Sequence, residues 1–301
     1  MGTVRTWKTF LAVAKHGSFA AAGKEVGLTS AAVGLQMRAL ESELNQQLFD
    51  RSARAVVLNT AGRKAVPMIK DLLVRYESLG VGSDPTEPAG TVVVGALVSA
   101  LMGSFANALW NIRKHYPRLE VRLRAGLSAD FALQVERGEL DAAVVIQSPH
   151  ALSANLIWTP LYREPMVLIV PRKPHFAMPV DGLDMLRQCP FIRFDPDTWS
   201  GYLVREVLNQ CHVTPQEAME LNSFEAIIEI VRQGFGIAIV PKLANVDWSR
   251  DQGLRVVGLP DIKIERSVGL LERANHSHTG FTLALKKYFS KRVGRRQQAA
   301  Q

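Results

Sequence analysis

Residues 7–44 read WKTFLAVAKHGSFAAAGKEVGLTSAAVGLQMRALESEL, and their spacing decides how the N-terminal part folds. Trp7, Phe10, Leu11 and Ala14 recur at i, i+3, i+4 and i+7, the repeat of a helix buried along one stripe, and Gly17 is placed to end it. Ser18 predicts an N-cap for a second helix running through Phe19, Ala22 and Val26 to Gly27, and Thr29 predicts a cap for a third. In that third helix Val33, Met37, Leu40 and Leu44 form the inward stripe, so Ser30, Ala31, Gly34, Leu35 and Arg38 face out. Two helices, a short glycine turn and a helix with small outward residues match a helix-turn-helix, whose small side chains let the backbone approach base edges and phosphates. The same spacing also fits a plain three-helix bundle with alanines on its surface.

The next residues favour the first reading. Leu48-Phe49, the turn Asp50 to Arg54 and Val56-Val57-Leu58 predict a small hairpin with Arg51 and Arg54 at its tip, a wing that sets cations against phosphates. Charge agrees. Residues 1–70 hold ten basic side chains against four acids, and Lys286 to Arg296 adds six more, while the body between is mildly acidic although the whole chain carries +8. A polyanion bound by one part of the chain accounts for that imbalance, and the C-terminal cluster reads as a solvated helix end.

Phe10 to Ala14, Gly17-Ser18-Phe19, Ala21-Ala22, Leu40-Glu41, Leu44, Leu48 to Arg51 and Leu58 to Gly62 together resemble the winged helix of LysR-type transcriptional regulators, in order and without gaps. The resemblance implies that Ser18, Thr29, Ser30, Ala31, Gly34, Leu35, Arg38, Arg51 and Arg54 bind double-stranded DNA. Where relatives place Ser-Gln-Pro or Ser-Gln-Ser at the start of the recognition helix, this chain has Thr29-Ser30-Ala31, and Gly34-Leu35 follows. These residues lack the amides and guanidinium groups of bidentate base contacts, so thymine methyls and DNA shape become the expected readout.

Asn59 predicts the cap of a further helix in which Ala61, Ala65, Met68, Leu72, Tyr76 and Leu79 follow a near-heptad spacing, with Pro67 expected to kink it. The glycines and prolines of 80–90 then form a tether. A stripe isolated by a tether must be buried on something, and a second copy is the simplest partner; the resemblance implies dimers through this helix, tetramers built from them and a possible contact with RNA polymerase.

From Thr91 onward strands and helices alternate: strand Val92–Leu97, helix Leu101–His115, strand Leu119–Arg124, helix Ala129–Arg137, strand Asp141–Ile146, then strands at Met166–Val170, Phe191–Phe194, Met219–Leu221 and Gly236–Val240 with helices Trp199–Gln210 and Phe224–Gln233. Such alternation predicts a mostly parallel sheet covered by helices, built twice. This part resembles the effector-binding domain of the same family, related in fold to type 2 periplasmic binding proteins, most closely at Asn222-Ser223-Phe224 and Gly234 to Pro241. The expected fold is therefore multi-domain α and α/β. It comprises a winged helix-turn-helix (1–59), a linker helix and tether (60–89) and a two-lobed domain (90–301), with lobe I about 90–161 and 266–301 and lobe II about 162–265. Ser99, Ala100, Ser128, Gln147, Asp195, Thr198, Trp199 and Asn222 are expected to line the cleft between lobes. Hydroxyls and helix-start amides there suit a small anion or carboxylate, although Ser128 and Thr198 also fit as helix caps.

Composition bounds the alternatives. The 301 residues are 47% hydrophobic and 21% charged, which excludes a disordered or collagen-like chain. Cys189 and Cys211 cannot form a disulfide framework, so a reducing, cytoplasmic setting fits, and Met1 to Phe10 lacks the pattern of a secretory signal. The uncharged stretch from Pro88 to Ile112 is long enough to span a bilayer, but its valine run followed by helical spacing reads as strand then helix. No phosphate loop, nucleophile elbow or zinc-protease motif occurs, Gly234-x-Gly236 follows a helix where a dinucleotide loop would follow a strand, and His276 and His278 sit in a polar loop that suits solvated side chains. No cofactor, metal or catalytic set is expected. An α/β enzyme carrying an accessory bundle is the rival class, and the two cysteines read as buried thiols in preference to a redox switch.

Overall fold

The computed structural model describes residues 4–50, 56–78, 88, 90–243, 248–259 and 262–298, side chains of 77–78 and 291–298 excepted. It divides into two compact units: Met1–Glu87 with the short stretches Glu136–Glu139 and Asn275–Thr279, and the remainder.

In the first unit, α1 (Val4–His16) ends at Gly17, whose φ of 60° is left-handed. Helix α2 (Phe19–Val26) starts where the Ser18 hydroxyl accepts from the Ala21 amide and stops at Gly27, φ 70°. Helix α3 (Ser30–Glu43) starts where Thr29 Oγ1 accepts from the Ala32 amide. A Cβ on Gly23 would lie 2.4 Å from the Leu28 carbonyl oxygen, so the turn between α2 and α3 folds back onto a position only glycine fills. Phe10, Val13, Ala22, Val33, Met37, Leu40 and Leu48 make the core, and the Phe10 and Phe19 rings meet Phe49 edge-on.

Two expectations shift here. The buried residues of α1 are Thr9, Phe10, Ala12 and Val13 while Trp7, Leu11 and Ala14 are half-buried, because α2, α3 and α4 all pack on this helix. Leu44 is 48% exposed, since it caps the end of α3 and Asn45 at once turns the chain away with φ 48°.

The wing is β1 (Phe49–Asp50) paired antiparallel with β2 (Val57–Leu58). Its turn, including Arg51 and Arg54, lies outside the described residues. Helix α4 (Thr60–Ser78) begins where Asn59 Oδ1 accepts from the Gly62 amide at 2.8 Å, and it continues through Pro67. Ile69 and Leu73, with Ala61 and Ala65, pack on the core of this unit, whereas Met68, Leu72 and Tyr76 are exposed. The expected stripe thus splits in two, and Leu79 lies outside the described residues.

In the second unit, β3 (Gly90–Ala96) leads through a single turn, α5 (Val98–Leu101), into α6 (Ser104–His115). The one helix expected from Leu101 is interrupted because Gly103 takes a non-helical conformation. Strand β4 (Leu119–Ala125), α7 (Ser128–Glu136) and β5 (Ala142–Ile146) follow. Next come β6 (Leu156–Pro171), α8 (Gly182–Gln188), β7 (Pro190–Phe194), α9 (Trp199–Gln210), β8 (Gln216–Leu221) and α10 (Phe224–Arg232). Strands β9 (Ala238–Pro241), β10 (Leu254–Val257) and β11 (Glu265–Arg273) precede the last helix, α11 (Thr279–Gln298).

Parallel pairing joins β3 to β4 and β5, and β7 to β8, as alternation predicts. The sheet order β10-β6-β11-β5-β3-β4, with β9 also on β6, is nevertheless mixed, because β6 and β11 run antiparallel to their neighbours. The expected strand Met166–Val170 is the far half of β6, whose near half pairs with β11 and whose far half pairs with β9 and β10. One core is built from residues 92–161 together with 268–289, and another from residues 166–254. The uncharged stretch is β3, α5 and most of α6, and among the described residues no helix is long and apolar enough to cross a membrane.

Candidate functional site

The outward face of α3 carries Ser30, Ala31, Leu35 and Arg38, all exposed, with Leu35 at 62%. Gly34 is half-buried, and a Cβ placed there would lie 3.8 Å from the Phe19 ring, in ordinary contact. Glu41, on the same helix, accepts from the Leu48 and Phe49 amides at 2.7 and 3.2 Å, which fixes the wing strand against α3. Ser18 and Thr29 both use their oxygen as helix caps.

In the second unit a cleft of about 470 Å³ opens where several strands end. Ser99 follows β3, Ser128 follows β4, Asp195 follows β7 and Asn222 follows β8, so the loops beyond the strand C-termini supply the walls, as in open α/β folds generally. Thr198 and Trp199 line it as expected. Ala100 does not, because its side chain is fully buried in the core of residues 92–161 and 268–289. Gln147 lines a separate hollow of about 130 Å³ that shares Trp199 with the cleft.

The hydroxyls differ in role. Thr198 Oγ1 caps α9, accepting from the Gly201 amide at 2.9 Å and donating to the Asp195 carbonyl at 2.7 Å. Ser128 opens α7 without capping it: its Oγ accepts from the Ile146 amide at 3.3 Å and so ties the helix start to the end of β5.

Arg266 is the wall residue that sequence reasoning missed. It is 1% exposed, its Nε donates to Glu164 Oε2 at 3.0 Å, its Nη2 contacts the same oxygen, and its Nη1 donates to Ser99 Oγ at 3.0 Å. The guanidinium also lies 5.6 Å from the centre of the Phe224 ring. Arg266 and Glu164 face each other in the β11/β6 register, so a cross-strand ion pair sits where the two strands pass beside the cleft. A signal existed: Arg266, Val268 and Leu270 share a face at period two, and that face is apolar. Burial, and then the Glu164 carboxylate, push the nearby Tyr162 phenol well above its usual range.

Cys189 and Cys211 are both buried, and burial pushes both thiols up, with the Arg187 charge opposing it at Cys211. We expect Ellman's reagent to label neither thiol in the native protein while labelling both in guanidinium; rapid native labelling would contradict the inert reading. His276 and His278 are buried, not solvated. Among the described residues no group of three or more His, Cys, Asp or Glu side chains is placed to hold a metal.

A winged helix-turn-helix with a capped, small-faced third helix, followed by an α/β domain with a cleft at its strand ends, is the architecture of a DNA-binding transcriptional regulator. The family described as LysR substrate binding domain matches residues 85–292, and the bacterial regulatory helix-turn-helix protein, lysR family, matches residues 4–63. The chain belongs to the LysR family of transcriptional regulators. It is 28% identical over 291 residues to a probable RuBisCO transcriptional regulator of Cyanophora paradoxa, covering 89% of this chain and 85% of that one. Its fold is similar to full-length OxyR from Pseudomonas aeruginosa, TM-score 0.69 at 19% identity over 95% of this chain and 94% of that one. It is also similar to the effector binding domain of QuiR in complex with shikimate, TM-score 0.58 at 16% identity over 67% of this chain and 98% of that one.

Proposed function

We propose that this chain is a sequence-specific, cytoplasmic DNA-binding regulator whose activity is set by a small molecule held in the cleft of its C-terminal domain. The observation that carries the DNA half is the outward face of α3, where Ser30, Ala31 and Gly34 leave room for the backbone beside Leu35 and Arg38. Residues 1–59 read the operator with Ser18, Thr29, Ser30, Ala31, Gly34, Leu35, Arg38, Arg51 and Arg54, and thymine methyls and DNA shape carry much of the specificity. Residues 60–89 join two copies through Met68, Leu72 and Tyr76, whose exposure in a single chain supports a self-partner. Tetramers form from these dimers, and RNA polymerase is the further partner.

In residues 90–301, lobe I (about 90–161 and 266–301) and lobe II (about 162–265) hold the effector between them. Ser99, Ser128, Asp195, Thr198, Trp199 and Asn222, with Arg266, form its site. The ligand acts through different affinities for two arrangements of the oligomer. The chain works by binding and not by turnover, and any substrate turned over by the purified protein would overturn that.

The test is fluorescence anisotropy on labelled upstream DNA at several salt concentrations with competitor DNA. Binding should survive excess competitor and weaken log-linearly with salt, and Arg38→Ala should reduce the slope of log K against log salt by about one. Affinity no better than for random DNA would reject the reading.

A further inference from the structure

We infer that the molecule held in the cleft carries a protonated amine as well as an acceptor group, an amino-acid-like zwitterion in place of a simple anion. This rests on reading the cleft as the effector site.

One wall offers donors. Ser99 and Ser128 line the cleft and are each only 5% exposed. The oxygen of each already accepts a hydrogen bond, from Arg266 at 3.0 Å and from the Ile146 amide at 3.3 Å. Neither hydroxyl proton has an acceptor among the described residues, so two buried O–H groups are left to meet an acceptor such as a carboxylate.

The rest of the lining has the opposite character. Asp130, Asp195, Asp197 and Glu225 all line the cleft, and Arg266 is the one basic residue among the lining residues described. Its charge is already matched by Glu164. Asp195 Oδ1 accepts only a backbone amide, that of Asp197, at 2.9 Å. Glu225 Oε2 accepts from the Ser223 hydroxyl at 2.7 Å, while Glu225 Oε1 is shut away from water with no hydrogen-bond partner. First-turn positions on α7 and α10 explain why Asp130 and Glu225 are tolerated. They do not explain a buried carboxylate oxygen left without a donor.

A simple anion would enter a cleft whose excess charge repels it. An ammonium group beside Asp195 and Glu225 removes that repulsion, and Trp199 in the same lining adds an aromatic ring suited to a cation. With the acceptor end on Ser99 and Ser128, both walls are satisfied by one small molecule.

The test is calorimetric titration of the full-length protein with two matched series, amino acids and their deaminated acids of equal carbon skeleton. At least one amino acid should bind, with its deaminated partner about tenfold weaker or worse. Asp195→Asn and Glu225→Gln, each checked by far-UV circular dichroism, should weaken that amino acid by about tenfold or more and leave deaminated acids unaffected or tighter. Deaminated acids binding as well as the amines would overturn the zwitterion and leave the cleft standing as an anion site. Silence from both series would overturn this inference and the cleft reading together.

Discussion

Arg266→Met will lower the unfolding free energy of the C-terminal domain by about 3–5 kcal/mol, the range for removing one member of a buried ion pair. The cause is the carboxylate left behind. Glu164 is 2% exposed and receives donors from both Nε and Nη2 of Arg266, so without the guanidinium it must stay charged without those donors or take up a proton. Ser99 Oγ also loses its donor. Pairing Arg266→Met with Glu164→Leu should recover most of the loss, because a well-packed apolar replacement of both partners is often neutral or better. Urea denaturation followed by tryptophan fluorescence measures both proteins. A loss below about 1 kcal/mol in the single variant would mean that water reaches Glu164, contrary to its burial.

The second large effect is expected at Gly201, in the first turn of α9. A Cβ there would stand 1.9 Å from the Asp195 carbonyl oxygen and 2.7 Å from Pro196 Cα, both backbone atoms that no rotamer change can move aside. Gly201→Ala must therefore push the helix start away from the 195–197 turn. It should cost about 1–3 kcal/mol, as overpacking does, and it should disturb the Thr198 cap that ends on the Gly201 amide. Because Asp195, Thr198 and Trp199 line the cleft, a ligand found for the wild type should bind Gly201→Ala markedly more weakly even below the melting temperature. Unchanged binding in a folded Gly201→Ala protein would show that this turn plays no part in the site.

What the sequence made legible was local. Gly17, Ser18, Gly27 and Thr29 set the helix limits of the first unit because caps and left-handed glycines act within a turn of the chain. The bounds Trp199–Gln210 were readable for the same reason, from Thr198 at one end and the change of pattern at the other. Most of the cleft followed from a rule of topology, since residues just past strand ends line such sites. Ala100 failed that rule by one residue, within a helical turn that aims successive side chains in different directions.

Strand partners were the illegible part. Nothing near Leu156 says that one strand of 16 residues will pair with β11 along one half and with β9 and β10 along the other. Arg266 and Glu164 were hidden with it, since neither looks unusual until the register sets them opposite each other. The acidic character of the cleft was hidden too, because Asp130, Asp195, Asp197 and Glu225 come from three separate stretches of chain.

Two of the hydrophobic cores of the second unit differ in how they are threaded. The core of residues 166–254 is one unbroken run, whereas the other needs Val92 to Leu161 to meet Val268 to Phe289 across that whole insert. Bringing such distant segments together carries a closure entropy that grows only slowly with the length between them, and once the insert has folded its ends leave it as the neighbouring strands β6 and β11. Residues 166–254 are therefore the clasp of the core around them: folded, they hold β6 and β11 side by side, the two strands through which the distant segments meet.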